Sequence, residues 1–219
     1  GDQPFGVAFA PDGERAYVAN KQHISVIDTK THKQVGQIAD DGLADLQGLA
    51  ITPDGKTLYV ANGGMNNVLA IDTDTGDVVA TIAVGDWPWS IAITPDGERA
   101  YVTSLTSNTV SVVDTKTNAV EATIPVGNIP YGIAITPDGK RAYVANWGSL
   151  TVSVIDTTTN AVEKTTFLGS PARAVAAVPN QPPTAELQAD ALEVFAGTPV
   201  TFDASGSSDD EGIASYTFD

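Results

Sequence analysis

The stretch Ile93-Thr94-Pro95-Asp96-Gly97-Glu98-Arg99-Ala100-Tyr101-Val102 recurs almost unchanged as Ile135-Thr136-Pro137-Asp138-Gly139-Lys140-Arg141-Ala142-Tyr143-Val144. Its central Pro-Asp-Gly tripeptide begins at residues 11, 53, 95 and 137, so consecutive copies are 42 residues apart. A fixed period of this length is typical of repeat proteins, in which every copy is one structural unit. The repeat therefore organises most of the chain and is the basis of the fold prediction.

Each repeat contains four short apolar segments separated by turn residues. In the third repeat these segments are Ser90–Thr94, Ala100–Thr103, Val110–Asp114 and Val120–Val126. They are rich in Val, Ile, Ala, Thr and Tyr, and none has the period of a helix. Four strands in about 40 residues, repeated, are typical of a β-propeller blade. The sequence therefore predicts an all-β fold, a β-propeller of four 42-residue, four-stranded blades.

Two regular turns recur in every repeat. The Pro-Asp-Gly turn joins the first and second strands, and an Asp-Thr-x-Thr turn joins the third and fourth. The residue after the second turn is His32, Gly76, Asn118 or Asn160. Gly and Asn tolerate a left-handed backbone, so this position is predicted to be left-handed. In a meander both turns lie at one end of the blade, which we call the turn end.

The other end of each blade, which we call the loop end, has irregular connections. The loop between the second and third strands is Asn62–Asn67 in the second repeat and Asn146–Thr151 in the fourth. The connections between repeats vary as well, as Gly85–Trp89 and Gly127–Tyr131 show. Because function is found more often on variable loops held by a rigid scaffold, we expect the functional surface at the loop end.

The repeats resemble a known family. Tyr17-Val18-Ala19-Asn20 and its counterparts from Tyr59, Tyr101 and Tyr143 are similar to the YVTN β-propeller repeat, as are Gly132–Gly139 and Val152–Thr157. The resemblance covers residues 4 to 178. Such repeats occur in archaeal and bacterial surface-layer proteins, in secreted proteins and in relatives of lactonases. The resemblance thus implies an extracellular or cell-surface location in a prokaryote.

The C-terminal part resembles a second module. Asn180-Gln181-Pro182-Pro183 is typical of an extended linker. The segment Ala196–Tyr216 then resembles the first half of a PKD domain, an immunoglobulin-like sandwich. We therefore predict repeats over residues 1–179, a Pro-rich linker over 180–184, and the N-terminal half of a PKD-like sandwich over 185–219. Half of such a sandwich cannot close its own core.

The number of blades leaves three interpretations open. Gln3–Pro11 supplies the first strand of the first repeat, and Ala172–Pro179 is predicted to supply a matching strand after the fourth, giving 17 strands. Family propellers commonly have seven blades, which at this period would need 294 residues. The chain is then a fragment of a longer ring, an open arc that pairs with a copy of itself, or a closed four-blade ring. Exposed sheet edges in an arc favour self-association.

Composition narrows the classes of function. Eleven Lys and Arg against 27 Asp and Glu give a formal charge of −16, which disfavours nucleic-acid and anionic membrane partners. The longest apolar runs are far shorter than the roughly 20 residues that a membrane-spanning helix needs, so membrane insertion is not expected. Without any Cys, thiolate metal sites and disulfides are excluded. The sequence starts without Met or a basic apolar leader, so we expect a processed segment.

Aromatic residues are concentrated in the loop-end connections. The predicted binding residues are Trp87, Trp89, Tyr131, Trp147, Asn66 and Asn67. Phe5 and Tyr131 have the same repeat position as Trp89. These rings are suited to stacking on a sugar or gripping a protein, so the expected partner is a carbohydrate or a protein. The alternative is structural, with rings filling gaps between blades and Asn side chains orienting loops.

The leading hypothesis is a noncatalytic binding or adhesion scaffold. One alternative is a lactonase-like hydrolase with a metal in the central funnel, for which His23, Asp45 and Asp86 are the only evident candidates. Another is a structural unit of a surface array. No phosphate loop, nucleophile elbow or zinc helix is present. We therefore assign no catalytic residue, no metal ligand and no cofactor.

Overall fold

The computed structural model describes residues 3–176, 188–189 and 202–203. The chain divides into two units, Gly1–Ala177 and Val178–Asp219. The described part of the first unit is almost entirely β-structure, and its one helical segment is a 3-10 turn at Gly63–Met65. No helix among the described residues is long and apolar enough to cross a membrane.

The first unit contains four antiparallel sheets, each of four strands paired in chain order. The first sheet is β1 (Val7–Phe9), β2 (Arg15–Ala19), β3 (Ile24–Asp28) and β4 (Lys33–Ile38). The second is β5 (Leu46–Ile51), β6 (Thr57–Asn62), β7 (Asn67–Asp72) and β8 (Val78–Ala83). The third is β9 (Pro88–Ile93), β10 (Arg99–Ser104), β11 (Thr109–Asp114) and β12 (Ala119–Pro125). The fourth is β13 (Pro130–Ile135), β14 (Arg141–Asn146), β15 (Thr151–Asp156) and β16 (Ala161–Phe167). One sheet per 42-residue repeat confirms the predicted blades.

Successive sheets pack face to face and bury three apolar cores. A tyrosine at the same position of each of the first three blades lies in each core: Tyr17 between the first and second sheets, Tyr59 between the second and third, and Tyr101 between the third and fourth. The first strands of neighbouring sheets pack side by side, so they form the inner edge of the assembly. A sheet that lies between two neighbouring sheets is covered on both faces. Its strands therefore carry apolar side chains on both faces.

The four described sheets form an arc. Three cores join them, and within residues 3–176 the first and fourth sheets share no core. The outward face of the first sheet leaves Val7 57% and Phe9 61% exposed. The interpretation as a closed four-blade ring is therefore wrong for the described residues, because a closed ring would need a fourth core. The longer ring and the paired arc stay as predictions.

The regular turns lie together, as the meander predicts. In the second blade the Thr73 hydroxyl donates to the Gly55 carbonyl at 2.6 Å, which ties the Asp-Thr-x-Thr turn to the Pro-Asp-Gly turn. The same bond recurs from Thr115 to Gly97 at 2.6 Å. The residue predicted to be left-handed has φ between 52° and 79° in all four blades.

The aspartates of these turns accept hydrogen bonds from their own loops. Asp114 accepts from the N–H of Thr117 at 2.7 Å and from its hydroxyl at 2.8 Å, and these bonds lower the pKa of the Asp114 carboxyl. Asp54 accepts from the Thr52 hydroxyl at 2.6 Å, which likewise lowers the pKa of Asp54. These carboxylates are therefore used as turn acceptors at the turn end.

The predicted strand at Ala172–Pro179 is wrong in its described part, since residues 171–176 form no strand. A strand needs a neighbour to satisfy its backbone groups, and within residues 3–176 this segment pairs with no further strand. The segment nevertheless lies where the repeat places it, against the inner strand of the fourth blade. A Cβ added at Gly132 would lie 2.7 Å from the Arg173 carbonyl oxygen, just as a Cβ added at Gly48 would lie 2.6 Å from the Trp89 carbonyl oxygen. In the second unit, Gln188–Ala189 pairs with Phe202–Asp203. The predicted linker and most of the PKD-like segment lie outside the described residues.

Candidate ligand-binding site

One repeat position lies on the inner edge of each of the four blades and recurs once more after the fourth blade. It is occupied by five residues that we call the axial column: Phe5, Gln47, Trp89, Tyr131 and Arg173. In the third blade the pairing of β9 with β10 shifts between Val102 and Ser104, so Trp89 and Ser90 together face Thr103. The fifth and thirteenth strands have the same irregularity at the column. Such bulges redirect side chains and are frequent beside binding sites.

Close backbone packing brings column members together. A Cβ added at Gly48 would lie 2.6 Å from the Trp89 carbonyl oxygen, so this approach requires glycine. The Thr103 hydroxyl accepts from the Ser90 N–H at 3.0 Å and donates to the Tyr131 carbonyl at 2.9 Å. The bulges of the third and fourth blades are thus joined by one buried side chain.

Four aromatic rings meet edge to face at the loop end. The ring centroids of Phe5 and Trp89 are 6.1 Å apart, those of Trp89 and Tyr131 are 5.0 Å apart, and those of Tyr131 and Trp147 are 6.1 Å apart. The interplanar angles lie between 72° and 81°, which is the favourable T-shaped arrangement. We call these four residues the aromatic ladder. The first two contacts join residues of different blades, whereas Tyr131 and Trp147 both belong to the fourth blade.

A cation is held against the ladder. The Arg173 guanidinium carbon lies 5.4 Å from the centroid of Tyr131 and 5.5 Å from that of Trp147. Both distances are within the roughly 6 Å range of a cation–π contact. The electron-rich ring faces therefore orient the guanidinium, although Arg173 itself is exposed.

A cavity of about 280 Å³ opens beside the ladder. Its lining includes Phe5, Gln47 and Trp89 together with the backbone of the first three inner strands. Gln47 is only 4% exposed. Its amide nitrogen donates to the Asp45 carbonyl at 3.0 Å, whereas its oxygen Oε1 is buried without a hydrogen-bond partner among the described residues. A buried acceptor of this kind is costly unless a ligand or water donates to it.

The structure joins three of the six predicted binding residues. Trp89, Tyr131 and Trp147 belong to the ladder, whereas Trp87 is 38% exposed and has no ring contact with it. Trp87 has φ of 56° and shares this left-handed backbone with Asp45 and Ile129 at the same repeat position. Its carbonyl accepts from the N–H of Leu105, and the Ile129 carbonyl accepts from Trp147 in the same way. Both tryptophan-bearing loops therefore lie at the loop end.

The predicted asparagines make hydrogen bonds within the loops. Asn66 accepts from the Trp87 N–H at 2.9 Å. Its counterpart Asn108 makes the same bond to Ile129 at 2.8 Å. Asn67 accepts from the amide of Asn62 at 3.0 Å. Because the bond of Asn66 recurs from blade to blade, its local role is to position the connection that carries Trp87.

Buried asparagines at the end of the second strand orient the loops. Asn62 accepts from the Ala44 N–H and donates to the Gly42 carbonyl, each at 2.8 Å. This double bond to backbone fixes the connection that precedes Gln47, as the structural interpretation of these asparagines predicts.

The three residues considered for a metal site do not form one. Asp45 lies 3.6 Å from the ammonium of Lys21. Among the described residues there is no group of three or more His, Asp or Glu side chains that is suited to a metal ion. His23 and Asp86 therefore do not join Asp45 in a ligand set, and the residues of this funnel do not fit the metal of the hydrolase hypothesis.

The repeat register was the signal for the two site residues that sequence reasoning missed. Gln47 and Arg173 lie 42 residues before Trp89 and 42 residues after Tyr131. Counting in steps of 42 residues from Trp89 and Tyr131 identifies both residues. They are polar, however, whereas it was the aromatic residues that marked this repeat position in the sequence. The resulting arrangement can stack on an apolar ring face and donate several hydrogen bonds from a cation.

Comparison with known proteins supports the propeller fold. A family model described as lactonase, seven-bladed β-propeller, matches residues 1–123, which is more than half of the chain. No curated protein matches.

Solved structures also resemble the chain. One is hydrazine synthase from Kuenenia stuttgartiensis, with 31% identity and a TM-score of 0.70 over 74% of this chain and 48% of that one. Another is a functionally unknown protein from Desulfotomaculum acetoxidans, with 22% identity and a TM-score of 0.63 over 75% and 54% of the two chains. The chain thus spans about half the length of these two proteins.

Proposed function

The chain belongs to the lactonase family of seven-bladed β-propellers, and we propose that within this fold it is a noncatalytic scaffold that binds a glycan at the loop end. The aromatic ladder beside the axial cavity carries this proposal. The ladder offers four ring edges and faces within one narrow region, and the cavity provides concave space next to them.

A glycan suits this geometry better than a protein surface does. Ligand clefts in proteins start at about 300 Å³ and are lined by aromatic groups with a few placed polar atoms. The cavity of about 280 Å³ is close to the lower limit of that range, and two aromatic rings, Phe5 and Trp89, are in its lining. A protein partner would cover about 800 Å² of broad surface on each side, whereas two of the ladder rings line a cleft.

A glycan array followed by titration calorimetry tests the proposal. We expect Trp89→Ala to weaken binding of any captured glycan at least about tenfold, because a buried aromatic anchor contributes more than about 1.4 kcal/mol. Trp87→Ala is the matched control, since it removes an exposed ring of the same type outside the ladder. Thermal unfolding of both variants verifies that each is folded.

Three outcomes would contradict this function. Equal affinity of the wild type and the Trp89→Ala variant would remove the ladder from the binding site. A larger loss with Trp87→Ala would instead transfer the site to the exposed loop, as the sequence alone predicts for that residue. Capture of no glycan in the array, together with a protein partner whose binding needs Trp89, would favour the protein alternative.

The sequence resemblance supports an extracellular or cell-surface location. The YVTN-like repeats resemble those of prokaryotic surface-layer proteins and secreted proteins. An acidic chain without Cys is compatible with that location. Protease shaving of intact cells followed by detection of the repeats is the direct measurement. Protection of the repeats until the cells are lysed would contradict it.

A second candidate function, lactone hydrolysis, is supported by the family name. Purified protein incubated with a panel of lactones and a pH indicator would report ring opening. The role of a structural array unit is the third candidate, supported by the exposed face of the first sheet. Sedimentation over a range of concentrations tests it, because an array unit should associate as its concentration rises.

A further inference from the structure

We infer that the ligand of the axial site is anionic, a saccharide that carries a carboxylate, with Arg173 as the residue that selects it. The inference rests on the proposed glycan-binding function and adds the chemical class of the sugar. Two observations support it: the placement of Arg173 on the ladder, and its lack of a carboxylate partner among the described residues.

The rings of Tyr131 and Trp147 hold the Arg173 guanidinium close to both. Its central carbon lies 5.4 Å and 5.5 Å from the two ring centroids, and because the rings are inclined at 78° to each other, the guanidinium plane can face only one of them. A guanidinium is a planar fork of N–H donors, which matches the two oxygens of a carboxylate. Contact with the rings also restricts the rotamers of Arg173 before binding, which lowers the entropy lost when the carboxylate arrives.

Arg173 differs from Arg99 and Arg141, because those two arginines have a carboxylate partner. Arg99 and Arg141 are neutralised within their own sheets by Glu121 and Glu163, at 2.5 Å and 2.6 Å. Lys21 pairs with Asp45. Within residues 3–176 neither Arg15 nor Arg173 takes part in an ion pair, and of these two Arg173 is the one that contacts the ladder.

The net charge of the chain makes this local cation decisive. A chain with a formal charge of −16 does not attract an anion from a distance. At physiological ionic strength, charges beyond about 8 Å are largely screened, so a contacting guanidinium outweighs distant carboxylates. An anionic ligand would therefore depend on Arg173 more strongly than on any other cation of the chain.

Trp89 connects the cavity with the region of Arg173, because it belongs to both the cavity lining and the ladder. Gln47 also lines the cavity, but its oxygen Oε1 is fully buried, so it is not counted among the groups that contact the ligand. A uronic acid unit provides a carboxylate, hydroxyls and an apolar ring face in one molecule.

The test compares two sugars that differ only at C6, where one carries a carboxylate and the other a neutral hydroxymethyl group. The full chain is titrated with an oligogalacturonate and with the same oligosaccharide after its carboxyl groups are reduced to alcohols. We expect the acidic form to bind at least about tenfold more tightly. Arg173→Gln should abolish this preference while leaving the affinity for the neutral form within about twofold. Arg173→Lys should retain only part of it, because an ammonium cannot form the bidentate contact.

Lys116→Gln is the matched control, because it removes one positive charge from an exposed turn at the turn end. It should leave both affinities unchanged. An Arg173→Gln variant that keeps the acidic preference would overturn the inference but leave the proposed function standing. Equal binding of both sugars to the wild type would do the same. Binding of neither sugar to the folded wild type would overturn the inference, and loss-free binding by Trp89→Ala would count against the proposed function itself.

Discussion

Replacement of Gly76 by Asn should stabilise the interface between the first and second blades. At the next two interfaces a buried tyrosine donates to an asparagine of the following blade: Tyr59 to Asn118 and Tyr101 to Asn160, each at 2.7 Å. The corresponding pair at the first interface is Tyr17 and Gly76, where no side-chain acceptor exists. A cavity of about 410 Å³ lies there, with both residues in its lining.

The backbone and the available space both suit an asparagine. Gly76 has φ of 79°, and Asn118 and Asn160 adopt 54° and 52° at the same position. A Cβ at Gly76 would meet the nearest atom, on Ile38, at 3.5 Å, which is ordinary contact. One net hydrogen bond contributes about 0.5–1.5 kcal/mol. The restricted unfolded chain adds up to about 1 kcal/mol, which the left-handed backbone offsets in part. We expect a net gain of about 1 kcal/mol, or about 2–4 °C in melting temperature.

A double-mutant cycle measured by urea denaturation isolates the new bond. The gain from Gly76→Asn should vanish in a Tyr17→Phe background, because that background has no hydroxyl to donate. Gly76→Ala is the control for backbone effects alone and should not stabilise the protein. The reasoning is refuted if Gly76→Asn stabilises the two backgrounds equally, or if it destabilises the wild type.

Three other perturbations test the packing and the titrating groups. Gly48→Ala should destabilise the protein by about 1–3 kcal/mol in urea, because the new methyl group meets backbone at 2.6 Å, whereas Gly36→Ala, with its nearest contact at 3.6 Å, should be tolerated. Burial, with a smaller contribution from the charge of Asp114, raises the pKa of Tyr59 to about 12 from 10.0, so stability should be intact below pH 10 and fall as the pH rises toward 12, as pH-dependent melting would record. The N–H of Thr117, followed by its hydroxyl, lowers the pKa of Asp114 below its ordinary value of 3.8, so the stability from this turn should be present above that pH and lost as the pH falls through the lower pKa. In Asp114→Asn the acid-induced loss measured by circular dichroism should be smaller than in the wild type.

The blade architecture was predictable because local signals and the period agree. Pro-Asp-Gly sets a tight turn by its own backbone preferences, and its return every 42 residues fixes the length of each unit. The third-blade strands were predicted to within two residues at each end. The exception at Ala172–Pro179 shows the limit of this logic. The segment has the composition of a strand, yet strand formation depends on a pairing partner that composition does not report.

The site was predicted in part, because the sequence indicates which end varies but not which side chains converge. Trp89 and Tyr131 are 42 residues apart, so their proximity follows from the repeat. Trp87 is two residues from Trp89, and because it breaks the repeat pattern it was the preferred candidate from the sequence. Its left-handed backbone, shared with Asp45 and Ile129, belongs to a loop geometry that no local sequence pattern announces. The bulge that directs the column also depends on pairing between strands.

The candidate site follows from departures at one repeat position. Where the neighbouring position is Gly6, Gly48 or Gly132, the side chain is absent because the inner strands touch there. The axial column beside it is free of that constraint and carries five different residue types. Within the column, the buried glutamine oxygen without a donor among the described residues is unfavourable for packing alone. Arg173 is exposed, so solvent satisfies its charge, and its contact with Tyr131 and Trp147 is what places a cation at the candidate site.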